Sequence, residues 1–169
     1  YVFCVHPCPC GHHGDSQKPC TCAPAVVTKY QKRISGPILD RIDIHIEVPR
    51  VDYEKLSGDR LGETSESIRK RVQTARDIQH NRFTNSQSTN SDVLCNADMR
   101  IGEVRQFCKL QPEGQSLMRA AMSQLNLSAR AYHRILKLAR TIADLAGSEE
   151  IQSAHLAEAL QYRPKLMLG

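Results

Sequence analysis

At 169 residues, 40% apolar and 24% charged, the chain has the size and balance of one globular domain or two very small ones, which excludes disorder throughout. Its formal charge of +5 divides as +2 over residues 1–50, 0 over 51–94 and +3 over 95–169, an excess that permits a polyanionic partner without requiring one. Three Phe, five Tyr and no Trp weigh against an aromatic single-strand binder, and with no run of 18 apolar residues and no signal-peptide pattern the chain reads as cytoplasmic, with no membrane partner.

The chain opens on Tyr1-Val2-Phe3-Cys4-Val5, a continuous β-branched and aromatic run that predicts a strand buried on both faces. A loop with Gly11, Gly14, Pro19 and Pro24 follows, then the turn-like Ser35-Gly36-Pro37. From Ile42 to Val48 apolar residues alternate with Asp43, His45 and Glu47, the pattern of a half-exposed or edge strand. From Thr64 the period becomes helical: Ile68, Val72, Ala75 and Ile78 recur along a helix predicted to end near Phe83. Residues 84–92 are polar and low in complexity, a connection.

Helices then dominate. Val104, Phe107 and Cys108 mark a short one, Pro112 begins another, and Ala131, Ile135, Leu138, Ile142 and Leu145 stripe a third. The last runs from about Ser153, a candidate N-cap, to Tyr162, with Pro164 closing it, and Gly147 suits the C′ position of the helix before it. The expected fold is mainly α: two strands and a Cys-rich loop that look cut out of something larger, followed by a helical bundle.

Seven cysteines is an odd number, and Cys8, Cys10, Cys20 and Cys22 crowd into fifteen residues, so a disulfide scaffold is disfavoured. Two Cys-x-Cys pairs at the ends of a short Gly/Pro loop can surround one ion with four thiolates, and soft sulfur selects zinc. Reduced thiols without metal, and a disulfide, are the alternatives. His12 and His13 are spare ligands, and Cys4, Cys95 and Cys108 read as small buried hydrophobes.

Arg41 stands between a short apolar segment and the start of the second strand, where it either projects from an edge or pairs with Asp40 and Asp43. Arg130 falls in the first turn of a helix, where a cation opposes the dipole, and shares a stripe with Arg134 and Lys137. That arrangement points either to an anionic partner or to a solvated face. There is no P-loop, no apolar run ending in Asp-Glu, no G-x-S-x-G elbow and no H-E-x-x-H helix, so this chain alone is not expected to hydrolyse a nucleotide.

Pro7-Cys8-Pro9-Cys10-Gly11, Cys20-Thr21-Cys22, Arg33 through Asp43, Leu127 through Tyr132 and Ala139 through Leu145, in this order, resemble the C-terminal part of the magnesium-chelatase-like AAA+ ATPases, in the ComM (YifB) competence-protein branch. The resemblance covers nearly the whole chain. It implies that residues 1–50 are the end of an AAA+ core with the sensor 1 strand, Cys-rich loop and arginine-finger segment, that 51–94 connect, and that 95–169 form the lid. Arg41 would be the arginine finger, acting on nucleotide held by a neighbouring subunit, and Arg130 the sensor 2 arginine. His6 stands at the sensor 1 position, where the family has Asn. Cys8, Cys10, Cys20 and Cys22 belong to this branch and would hold the metal.

Membership implies ATP and Mg2+ in the complete protein, zinc as a structural ion, a ring of identical subunits, a hexamer by expectation, and DNA as the partner in recombination or natural transformation. The chain then reads as a fragment beginning inside the ATPase domain, inactive alone. Two other readings stand beside it: a freestanding zinc-stabilised helical module that binds nucleic acid or protein, and a motor for metal insertion into a porphyrin.

Overall fold

A computed structural model describes residues 2–48, 51, 57, 62–85 and 93–163. The chain divides into two compact units, Tyr1–Ile42 with Ile46–Arg60, and Asp43–His45 with Leu61–Gly169.

In the first unit the Cys-rich loop leads into helix α1, Pro24–Gln31, which buries Val27 and has a proline at its start, where the missing N–H is no loss. A single turn, α2, Gly36–Leu39, has Pro37 at its second position, and Asp40 caps it. Both were absent from the sequence expectation, which reads the second as a turn. Proline in the first turn, Pro24 of α1 and Pro37 of α2, was the available signal.

The second unit is a helical bundle. Helix α3, Ser65–Thr84, starts at Thr64, whose hydroxyl accepts from the Ser67 amide at 3.3 Å, and carries Glu66 where the dipole favours an anion. A 3-10 turn, Asn96–Asp98, precedes α4, Ile101–Phe107, α5, Pro112–Gln124, α6, Ala129–Leu145, and α7, Ser153–Gln161. The bundle is organised around α6, which packs on α3, α4, α7 and the 3-10 turn, while α5 packs on α7. Ile135, Leu136, Ala139 and Ala143 of α6 meet Leu156 and Ala159 of α7 in one core with Val104, Met118 and Ile151. Each large apolar side chain removed from water there contributes about 1.5–3 kcal/mol. Phe83 and Phe107 meet edge to face, centroids 5.6 Å apart, and join α3 to α4.

The ends of α6 follow their sequence signals. Ser128 Oγ accepts from Ala131 N at 3.1 Å. Beyond Ala146, Gly147 takes φ +66°, with Gly147 N donating to Asp144 O and Ser148 N to Ala143 O, the paired bonds of a Schellman stop. For α7 the cap is Gln152 rather than Ser153, and its amide donates to His155 Nδ1 at 3.1 Å. Pro164 lies outside the described residues, as do 86–92 of the expected connection.

The two predicted strands are not formed. No strand is paired among the described residues, whose sole bridge joins Leu110 to Ile151. Val2, Phe3 and Val5 are exposed, as are Ile44, Ile46 and Val48, and Tyr1 lies outside the described residues. The reason is physical: alternation selects a face, but only a neighbouring ladder makes a strand, and none lies alongside these segments. The remainder of the chain bears out the mainly helical expectation.

Candidate functional site

The cysteine loop is built by its turns. Gly11 N donates to Cys8 O at 3.0 Å, and Gly11 takes φ +81°, a left-handed conformation that suits glycine. Asp15 Oδ1 accepts from the amides of Gln17 and Lys18, and Gln31 Nε2 of α1 reaches back to Pro7 O at 3.2 Å. The loop therefore doubles on itself and brings Cys8, Cys10, Cys20 and Cys22 together, with one ligand atom from each lying within 4.8 Å of every other.

Sγ separations are 3.4 Å for Cys8–Cys10, 3.7 Å for Cys8–Cys20 and 3.5 Å for Cys10–Cys20. A tetrahedral zinc thiolate site with bonds of ~2.3 Å has sulfur–sulfur edges of about 3.8 Å, so the donor set fits one such ion. All seven cysteines are free, which removes the disulfide reading.

Backbone N–H groups of His12 and Thr21 pull the Cys10 thiol down to about 5, making it a thiolate at neutral pH. Cys20 is pushed up to about 12: the Cys22 amide favours its thiolate, but burial and the neighbouring Cys10 and Cys8 sulfurs outweigh it. Cys22 is raised by the same opposition, with the Cys10 amide favouring its thiolate. A thiolate at Cys10 beside the raised Cys20 and Cys22 thiols is the charge pattern of a site ready to exchange protons for a cation.

The spare ligands stand apart from the cluster. His12 Nδ1 lies 3.3 Å from Asp15 Oδ2, and neither His12 nor His13 joins the four sulfurs. Of the other cysteines, Cys108 is buried as expected, Cys95 is half-buried with its thiol donating to Asp98 Oδ2 at 3.2 Å, and Cys4 is exposed, contrary to its apolar surroundings in sequence.

Arg41 follows α2 directly, exposed, its Nη1 donating to Pro37 O at 3.2 Å. His6 is exposed beside the Gly11 turn. Both belong to the first unit, and Arg130 belongs to the helical unit. Arg130 is exposed in the first turn of α6, which carries no acidic residue, and it makes no hydrogen bond or ion pair among the described residues. It lines a depression of about 210 Å³ together with Arg100, His133, Arg134 and Lys137 and without any carboxylate in the lining. Lys137 Nζ donates to Ala97 O at 2.8 Å, and Arg134 Nη1 to Asp43 Oδ1 at 2.5 Å.

The sequence stripe of Arg130, Arg134 and Lys137 is thus one wall of a basic depression. Arg100, thirty residues earlier, joins it only through the fold, and Asp43, ninety-one positions from Arg134, meets that arginine in the same way; no local signal marked either meeting.

Residues 62–163 match the family pattern described as Magnesium chelatase, subunit ChlI C-terminal, and residues 1–56 match Magnesium chelatase, subunit ChlI. A helical bundle following a Cys-rich segment, matched over these spans, defines the C-terminal region of a magnesium-chelatase-like AAA+ protein. The chain belongs to this family, in its ComM branch. It is 40% identical to Competence protein ComM of Haemophilus influenzae over 99% of its own length and 31% of that protein's. To YifB of Escherichia coli it is 38% identical over 96% of its length and 30% of that protein's. The chain therefore spans under a third of either relative. No helix among the described residues is long and apolar enough to cross a membrane.

Proposed function

We propose that this chain is the sensor and lid portion of a ring-forming ATPase, hexameric in its assembled form, that uses ATP hydrolysis to remodel DNA by helicase or branch-migration activity. In this reading residues 1–50 end the AAA+ core, 51–94 connect, 95–169 are the lid, and the complete protein works in the cytoplasm during recombination or natural transformation. The observation that carries the nucleotide half is Arg130: an exposed guanidinium with no hydrogen-bond or ion-pair partner among the described residues, in a basic depression, at the end of a helix where the dipole disfavours it. A phosphate chain would offset that unfavourable placement. The DNA half rests on likeness, since a relative 40% identical is named a competence protein.

Arg130 then contacts ATP from the lid of its own subunit. Arg41 extends from a subunit's edge toward nucleotide held by its neighbour, where its forked donors stabilise charge developing on the transferring phosphoryl group. His6, at the sensor 1 position, offers a ring nitrogen to orient the attacking water. Mg2+ bound with the ATP supplies charge neutralisation at the phosphates. Cys8, Cys10, Cys20 and Cys22 hold zinc, which gives the loop the internal support that so short a segment cannot draw from apolar packing.

The test is Arg41→Ala in the complete protein. Hydrolysis is expected to vanish while a titration with fluorescent nucleotide shows nearly unchanged binding. Collapse of binding in that titration would overturn the finger role.

A further inference from the structure

Residues 43–45 group with the helical unit, although the chain on either side groups with the other. Two contacts pin them. Arg134 Nη1 donates to Asp43 Oδ1 at 2.5 Å, and His45 N donates to Tyr162 O at 2.9 Å, so the three residues form a short strap held at α6 and at the end of α7. Arg41 lies two residues before Asp43, within about 7 Å of backbone reach. Arg134 lies one helical turn after Arg130, on the same face, and both line the basic depression.

We propose that Asp43 is a positioning residue, whose ion pair with Arg134 holds residues 43–45, the continuation of the Arg41 segment, on the helix that carries Arg130. This rests on the roles given above to those two arginines. An anion in the depression draws the Arg134 guanidinium, Asp43 competes for the same donors, and the strap registers whether the depression is filled. By linkage the dependence is mutual: a strap held by Asp43 alters what the depression binds as much as binding alters the strap. The pair is half open to solvent, Asp43 being 51% and Arg134 30% exposed, and pairs of that kind contribute little to stability. Its consequence is therefore placement rather than folding.

The experiment uses the complete protein carrying Asp43→Asn, Asp43→Glu or, as control, Glu63→Gln, which breaks an ordinary surface pair with Arg71 at 2.9 Å. Asp43→Asn is expected to lower kcat about 10- to 100-fold through misplacement, to tighten ATP-analogue binding about 2- to 5-fold as Arg134 is released, and to leave the melting temperature unchanged. Asp43→Glu restores most of the turnover, Glu63→Gln turns over as the unaltered protein does, and the His45 amide exchanges faster in Asp43→Asn. Unaltered turnover in Asp43→Asn overturns the inference and leaves the proposed function standing. Parallel loss of Kd and melting temperature assigns Asp43 a structural role and also overturns it. Absence of hydrolysis in the unaltered complete protein overturns the proposed function and this inference together.

Discussion

Arg82 of α3 and Asp144 of α6, sixty-two positions apart, form a bidentate ion pair at the centre of the helical unit: Arg82 Nη1 donates to Asp144 Oδ2 at 2.9 Å and Nη2 to Oδ1. Asp144 is fully buried, and Arg140, one turn earlier, donates to it from Nε at 3.0 Å while its other nitrogens bind the carbonyls of Ser148 and Glu149. Asn96 completes the group by donating to Asp144 Oδ2 at 2.7 Å. A single carboxylate thus serves as the shared counter-ion of two guanidiniums and joins α3, the 3-10 turn and α6.

Removing that carboxylate leaves two arginines without their counter-charge in a low-dielectric site. Asp144→Ala is accordingly expected to destabilise the fold by about 3–5 kcal/mol, read as a fall in urea midpoint with unchanged slope. A loss below about 1 kcal/mol, the range of surface pairs, would show that water compensates the arginines and that the network is not a keystone.

The cysteine cluster makes a pH-dependent prediction. With Cys10 down at about 5 it is already ionised at neutral pH, whereas Cys20, at about 12, and the raised Cys22 are protonated. Loading Zn2+ at pH 7 must therefore expel protons, and affinity falls as pH falls. Without metal the signs oppose. Cys10, lowered below its ordinary thiol value, contributes stability present above that value and lost as pH falls toward 5. Cys20, raised, contributes stability present at neutral pH and lost as pH rises toward 12. Calorimetric titration in two buffers of different ionisation enthalpy should show one Zn2+ per chain with proton release. A binding heat independent of buffer would contradict the assignment.

What could be read in advance tracks how local each feature is. The apolar period from Ile68 to Ile78 predicted a helix from Thr64 to about Phe83, against Ser65–Thr84 found, because side-chain spacing and caps act within one or two turns. The four cysteines were legible because two pairs a few residues apart need only one loop to meet. Arg82 and Asp144 were not, since each looks like any surface charge until the fold brings them together. The strands failed for the same reason in reverse: Ile42 to Val48 alternates correctly, but its pairing partner is not encoded locally. Asp43, read as a possible partner for Arg41, is instead held by Arg134.

Thiol chemistry should separate two of the three remaining cysteines, Cys4 and Cys108. Burial pushes Cys108 up to about 12, the nearby arginines opposing it too weakly to matter, whereas Cys4 lies exposed. Brief iodoacetamide treatment at pH 8, followed by peptide mass spectrometry, is expected to label Cys4 and leave Cys108 unmodified until urea unfolds the bundle. Equal labelling of both in native buffer would show that α4 opens readily and that Cys108 is not part of a closed core.

Arg130 offers a test in which stability and binding move in opposite directions. It makes no hydrogen bond or ion pair among the described residues, so its loss removes no polar partner, and it places a cation where the α6 dipole is positive. Arg130→Ala is therefore expected to raise the stability of the fold slightly, by about 0.3–1 kcal/mol at low salt. In the complete protein the same change removes a phosphate contact and should weaken ATP binding about tenfold, or ~1.4 kcal/mol. Thermal melts at two salt concentrations and a nucleotide titration on the same preparation measure both. A lowered melting temperature would mean that Arg130 serves the fold, and unchanged nucleotide affinity would mean that the basic depression is a solvated face after all.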